Sequence, residues 1–502
     1  MAIKKPTVLI SIVLVLCLLV LTACSAPDGG QKNSGGDGEK KTVQIDTAAG
    51  TEESGSAAGS SGLDYSAMFT ERDMRTSWSA GAASKILLEG EKIRTRGEGL
   101  SVSGGTAVIE SGGTYYISGT LADGQIIVDV SDKEKVQLVL DGAGITCSSN
   151  ACILVKSADK VFVTLADGSE NVLSDTGDEY VQSDESMNVD AVVFSKSDIV
   201  FNGTGSLTVE AGYHDAIVSK DDLKFTGGSY EINAADKGIV GKDSLRIRDG
   251  AFKIVSEDDC LVSNNDEKAG KGYIYIEGGD FSLETGDGAV RAAGAVVIRG
   301  GKIDILQSYE GIEGHTVDIE GGTVSIVSAD DGFNASTDAP GVGGNEVETT
   351  CHIRVAGGSV YVNAGGDGLD SNGTILMEGG CLIVDGPEND GNSALDAGMD
   401  IVVSGGTLLT AGSSGLAKAP SEKSPQKSVF YLSPQKIPGG TEVELSRAGG
   451  KAVCSFTPSK TWSCLILSDP GIKEGTYTLR AGDQQIQVET GSAVSSAGEG
   501  SK

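Results

Sequence analysis

From about residue 100 the chain alternates apolar and polar positions in short runs, the period-2 signature of strands. Val136-Gln137-Leu138-Val139-Leu140 and Val161-Phe162-Val163-Thr164-Leu165 are two such runs, each followed by a turn containing Gly, Asp or Asn. Further on, the pattern becomes a repeat. Gly-Gly pairs begin at Gly227, Gly278, Gly300, Gly321, Gly357, Gly379 and Gly405, and Asp249-Gly250 fills the one missing place, giving intervals of 22, 29, 22, 21, 36, 22 and 26 residues. Each unit carries three apolar stations. Two residues point inward after the glycines, as in Tyr230 and Ile232, Phe252 and Ile254, Ile303 and Ile305, Val324 and Ile326, Val360 and Val362. One apolar residue follows an acidic turn: Ile217, Ile239, Leu261, Ile312, Phe333, Leu369, Leu395. A third strand opens with Leu223, Leu245, Ile274, Val296, Val317, Ile353, Ile375 and Ile401. Three short strands per ~22 residues predict one coil of a right-handed parallel β-helix, in which stacking ~4.8 Å apart buries each station on the next. Leucine-rich repeats and propeller blades need consensus residues that are absent.

Two coils are long, by residues 263–272 and 336–350. Both insertions fall at one corner, between the apolar turn residue and the third strand, and insertions on one face of a solenoid often mark its working face. The repeat predicts an all-β solenoid over 100–412 with no globular domain inside it. A lead-in segment at 65–99, a polar linker at 413–427, a small C-terminal β module at 428–490 and a tail at 491–502 surround it.

The N-terminus changes the picture. Lys4 and Lys5 precede an apolar run from Val8 to Val20, and Leu21-Thr22-Ala23-Cys24 reads as a lipobox. The run falls short of the ~20 residues needed to span a bilayer. A signal peptide at 1–23, lipid on Cys24 and a disordered tether at 24–64 are therefore expected, placing the chain on the outer face of the cytoplasmic membrane, held by lipid alone. The 39 basic and 71 acidic residues give −32, or −34 once Lys4 and Lys5 are removed. That field repels nucleic acid and concentrates cations. Beyond Cys17 and Cys24, seven cysteines show no regular spacing and no CxxC pair, which argues against a disulfide framework and against zinc. Cys152 and Cys260 read as buried thiols; Cys454 and Cys464 are left open as a pair or as free thiols.

The strongest chemical signal is a column of acids just before the turn station: Asp215, Asp236, Asp258-Asp259, Asp287, Glu310, Asp330-Asp331 and Asp367. One residue past the station stand Glu313, Asn334, Asp370 and Asp396. Carboxylates one strand spacing apart repel unless a cation bridges them or some are protonated. Calcium takes 6–8 oxygens of this kind. The expected metal ligands are Asp258, Asp259, Asp287, Asp330, Asp331, Asn334, Asp367, Asp370 and Asp396, with further oxygens from Asn264, Asn265, Asp266, Asp338 and Asn345 in the insertions. Asp-Gly and Asn-Gly are also good turn formers without any metal.

The segments GTLADGQIIVDV, VQLVLDGAGITC, LADGSENVLSD, DDLKFTGG, GGDGLDSNG and GPENDGNSALDAGMDIVVSGGTLLTAGSSGLAKAPSEKSPQKS resemble the secreted carbohydrate-binding β-helix family of Gram-positive bacteria, whose members look like polysaccharide lyases in fold. The resemblance runs from about Ile86 to Tyr431. It implies a surface lipoprotein, expected as a monomer, that binds cellulose-like or acidic polysaccharide and carries calcium. Position 237 is Lys where neighbouring coils have Asp, which argues against a metal at that coil.

Two other functions compete. A pectate-type lyase would use calcium to acidify a uronate and Lys237 or Arg291 to remove the proton. A Lys among carboxylates is raised, not lowered, which opposes that role. His214, His315 and His352 read as isolated. A passive adhesive solenoid is the third reading, favoured by the scarcity of Trp (Trp78 and Trp462) as a sugar platform; Tyr275 and Tyr361 are expected to point outward.

Overall fold

The computed structural model describes residues 62–182, 187–337, 347–447 and 449–498. The signal peptide, Cys24, the tether up to residue 61, Asp338 and Asn345 lie outside the described residues.

The repeat folds as a parallel β-solenoid. Strands opening the coils stack in register, Leu245 on Ile274, Val296, Val317, Ile353, Ile375 and Ile401 in turn. The post-glycine station runs Tyr230, Phe252, Phe281, Ile303, Val324, Val360, Leu382, Leu408. The turn station runs Ile217, Ile239, Leu261, Val290, Ile312, Phe333, Leu369, Leu395, so Val290 supplies the member that the sequence pattern left out. These three ladders meet in one apolar core whose members are almost wholly buried. Rings stack along it, Tyr230 on Phe252 at 5.0 Å and Phe252 on Phe281 at 4.8 Å.

The period itself has a steric cause. Gly301 and Gly358 hold φ of +88° and +79°, and a Cβ on either would come within 2.6 Å of a backbone oxygen of the coil below. A left-handed corner pressed on its neighbour admits only glycine.

The ends depart from the expected boundaries. Solenoid strands begin at Ser84–Gly90, which pairs in parallel with Gly113–Leu121, and two antiparallel hairpins (Ser84–Gly90 with Ile93–Arg96, Leu100–Ser103 with Thr106–Ile109) close that end. Residues 413–427 are not a free linker. Ser421 and Gln426 donate backbone hydrogen bonds to the carbonyls of Ile401 and Val403, laying the segment along the last coil. Trp462–Ser468 then pairs antiparallel with both Thr407–Gly412 and Ser428–Ile437, covering the final edge. A four-stranded antiparallel sheet of Val443–Arg447, Ala452–Phe456, Gly475–Ala481 and Gln484–Thr490 packs beyond it. Part of the expected tail, Val494–Gly498, is a strand parallel to Ser428–Ile437. All seven described cysteines are free, Cys454 and Cys464 included.

The lead-in segment lies against the outside of the coils. Met68 is buried with Tyr273, Tyr275 and Val297, and Tyr65 and Phe69 pack on the Tyr275 ring. Tyr275 does point away from the core, yet it is covered. Further along, the Asp73 carboxylate takes a hydrogen bond from Lys224 Nζ at 2.9 Å, and its backbone oxygen accepts from Asn202 Nδ2 at 2.9 Å. The Arg72 guanidinium sits 3.7 Å from the Phe162 ring centre.

Candidate functional site

The turn ladder dictates where the acids fall. Because the stations before and after the turn residue repeat with it, in-register stacking places side chains of successive coils one strand spacing apart. Arg291 stands beside Glu313, Glu313 beside Asn334, Asn334 beside Asp370, and Asp370 beside Asp396.

Two carboxylate triplets result. Asp258, Asp259 and Asp287 bring one oxygen each within 4.8 Å of the others, and so do Asp331, Asp367 and Asp370. Around the first triplet cations are at hand. Lys237 donates to Asp236 at 2.9 Å and to Asp258, and Arg291 lies 3.8 Å from both Asp259 and Glu313. Burial pushes Asp259 up to about 6, aided by Asp258 and opposed by Arg291. Burial alone would lower the Lys237 ammonium, but Asp258 and Asp236 hold it above its ordinary value, so it is a poor base.

The second triplet is more acidic for its cations. Burial raises Asp331 to about 8, with the charges of Asp367, Asp370 and Asp330 adding to it. Asp370 rises to about 7 by burial and by Asp367 and Asp396, and Asp367 rises to about 6. Glu310, one coil below Asp331, is pushed to about 9 by burial and by Asp331 and Glu313, and its Oε2 is buried without a hydrogen-bond partner. Lys418, which opposes the rise of Asp370, is paired to Asp396 and comes from the segment the sequence marked as a linker.

The donor set fits a hard cation. A Cβ on Gly366 would lie 2.3 Å from Asp330 Oδ1 and 2.4 Å from Asp331 Oδ1, and one on Gly288 would lie 2.7 Å from Glu313 Oε2 and 2.8 Å from Asp259 Oδ1. Each glycine thus leaves a hollow walled by two carboxylates. Calcium, which prefers several oxygens at 2.3–2.6 Å, is the chemical match. Asp330 flanks the second triplet, and Asn334 and Asp396 stand in register with Asp370. The insertion oxygens divide. Asn265 is buried and spent on Asp243 and on the backbone of Glu267 and Lys268, so it is a turn pin and not a free ligand. Asn264 and Asp266 face a cleft of about 680 Å³ whose walls also carry Lys237, Lys268, Lys271 and Arg291.

Two features escaped the sequence reading. Tyr309, half exposed, accepts a backbone hydrogen bond from Asp330 N at 2.9 Å and stands at the acidic column. His315 is not isolated, since Cys351 and Glu348 lie against it. Of the two tryptophans, Trp462 is buried and Trp78 rests 5.3 Å from the Tyr116 ring.

Fold and site together define an acidic parallel β-solenoid with a mixed-charge cleft at one corner. Residues 103–350 match the family model described as "Carbohydrate-binding domain-containing protein". A protein of that description from Acetivibrio thermocellus is 40% identical over 152 residues, covering 30% of this chain and 53% of the relative, so the match spans about half of that relative's length. Among solved structures, the polysaccharide lyase-like protein from C. thermocellum, a gadolinium derivative, is 34% identical with a TM-score of 0.43, covering 48% of this chain and 92% of that one.

Proposed function

We propose that the chain is a surface lipoprotein whose solenoid binds polysaccharide without cleaving it, with calcium held on the acidic column. The observation that carries the reading is the coincidence of the carbohydrate-binding family match at 103–350 with the coils that hold the cleft, the Asp258–Asp259–Asp287 triplet and Tyr309. In the cleft Lys268, Lys271 and Arg291 offer donors to uronate carboxylates, and Asn264 and Asp266 offer partners to hydroxyls. Calcium, when bound, would supply a bridge between protein and sugar carboxylates. Tyr309 presents a ring face on which a pyranose stacks. The cationic groups beside calcium are those a pectate-type lyase would use, but the raised Lys237 and the doubly paired Arg291 are poor proton acceptors.

The test is glycan retention with calcium and then with chelator. Binding to an acidic polysaccharide is expected to vanish in chelator and binding to neutral glucan to persist. Tyr309→Ala is expected to weaken both by about tenfold, equivalent to about 1.4 kcal/mol. Unsaturated uronide absorbance on incubation with polygalacturonate and calcium would replace the binding reading by the lyase one, whereas no retention on any glycan would leave a passive solenoid. Lipid attachment at Cys24 predicts that Cys24→Ala moves the chain from the membrane to the soluble fraction; an unchanged distribution would refute it.

A further inference from the structure

The cluster His315–Glu348–Cys351 differs in its chemistry from the three all-carboxylate triplets among the described residues, the third being Asp221–Asp222–Asp243. It offers nitrogen, oxygen and sulfur, one donor atom each, all within 4.8 Å of one another. Its origin is the same coil register. Thr316 pairs with His352, so the residues just before them, His315 and Cys351, are brought side by side across two coils although an insertion separates them in sequence. Glu348 joins through a tight turn, Cys351 N donating to Glu348 O at 3.1 Å.

We propose that these three side chains form a site for a late first-row divalent cation of the zinc type. Cys351 Sγ is 3.4 Å from His315 Nδ1 and 3.5 Å from Glu348 Oε2. Zinc bonds of about 2.3 Å to sulfur and about 2.0–2.1 Å to nitrogen or oxygen, at tetrahedral angles, require edges of about 3.5 Å. The two edges at Cys351 Sγ match that length, and the third, between His315 and Glu348, lies under 4.8 Å. A thiol and an imidazole select zinc-like ions over calcium, which takes oxygen alone. Outer partners hold the carboxylate in place: Glu348 Oε1 accepts from Asn372 Nδ2 at 3.2 Å and from Thr337 N at 3.3 Å. Those bonds tie Glu348 to Thr337 and to Asn372, and an ion on His315 and Cys351 would cross-link two adjacent coils. A nucleophilic triad is the wrong description, because the carboxylate contacts the sulfur and not the far side of the imidazole.

The test uses Co²⁺ as a spectroscopic stand-in, added to the reduced full chain in excess calcium so that the carboxylate triplets are filled. One equivalent is expected to bind with a thiolate-to-cobalt charge-transfer band in the near ultraviolet, displaced by Zn²⁺ and not by further calcium. The band is expected to disappear in Cys351→Ser and in His315→Ala and to survive in Cys381→Ser. Glu348→Gln, which keeps the side-chain shape, is expected to retain the band with affinity lowered at least about tenfold. Circular dichroism of each variant separates loss of the site from loss of the fold. No band in the parent chain, a band that persists in both folded Cys351→Ser and folded His315→Ala, or an unchanged affinity in Glu348→Gln would overturn the three-donor site.

Discussion

Asp73→Ala is expected to lower stability by about 3–5 kcal/mol, the cost of leaving a buried charge without its partner. The Asp73 side chain is 1% exposed and that of Lys224 is 5% exposed, so neither has water to fall back on. Burial by itself would raise Asp73, yet the Thr70 N–H and Lys224 hold it below its usual range, which marks it as ionised in the fold. Burial lowers Lys224, and Asp73 is the chief group opposing that. Removing Asp73 therefore strands the ammonium against the outer face of the solenoid and leaves the lead-in segment held at that residue only by the bonds from Asn202 and Thr226 to its backbone carbonyl. In a fold whose units touch only their neighbours the loss should be local. Hydrogen exchange should accelerate most in Lys160–Leu165, Asp198–Gly203 and Asp222–Ala234, while coils beyond residue 350 keep their protection. Asp73→Ala with Lys224→Met should recover part of the loss. Uniform protection in the single variant would sink the strap reading.

That strap marks where the sequence stopped being legible. The ladders were readable because the core asks the same question of every coil, and Ile, Leu, Val or Phe answers it at fixed positions. The lead-in segment answers no repeated question. Asp73 meets Lys224 across 151 residues, and nothing in either neighbourhood announces the other. The 413–427 segment was missed for a related reason: it joins the last coil by backbone hydrogen bonds and by Lys418, none of which needs an apolar station. At the site, acids at one turn position were visible, and their grouping into two triplets follows from register. Their unequal neutralisation was only half visible. Lys237 stood out in the column, but Lys418 lay in a stretch that composition labels a linker. His315 and Cys351 looked unrelated because a 36-residue interval conceals a one-coil step.

Calcium is expected to stabilise the fold increasingly as pH rises from 5 to 9. Glu310, Asp331 and Asp370, pushed to about 9, 8 and 7, bind protons in the folded chain that the unfolded chain has released above ~4. Where the native state binds more protons, stability falls as pH rises. Chelated protein should thus be most stable near pH 4 and lose stability through the window from about 4 to about 9, as each raised carboxyl is forced to ionise. Asp73, Asp236 and Asp243, whose values are lowered, act only below that window, since their folded values lie under the unfolded ones. A cation needs the ionised carboxylates, so its gain should be small at pH 5 and full at pH 9. Calcium at a thousand times its Kd adds about 4 kcal/mol. The measurable result is a pair of melting curves, in chelator and in millimolar calcium, that nearly coincide at pH 5 and separate at pH 9. Asp370→Asn should shrink the separation by removing an oxygen charge. Gly366→Ala should shrink it with every carboxylate kept, because its methyl would enter the hollow between Asp330 and Asp331. Coincident curves at pH 9 would mean that the column is a row of solvated turns, and a full separation in Gly366→Ala would place calcium elsewhere on the chain.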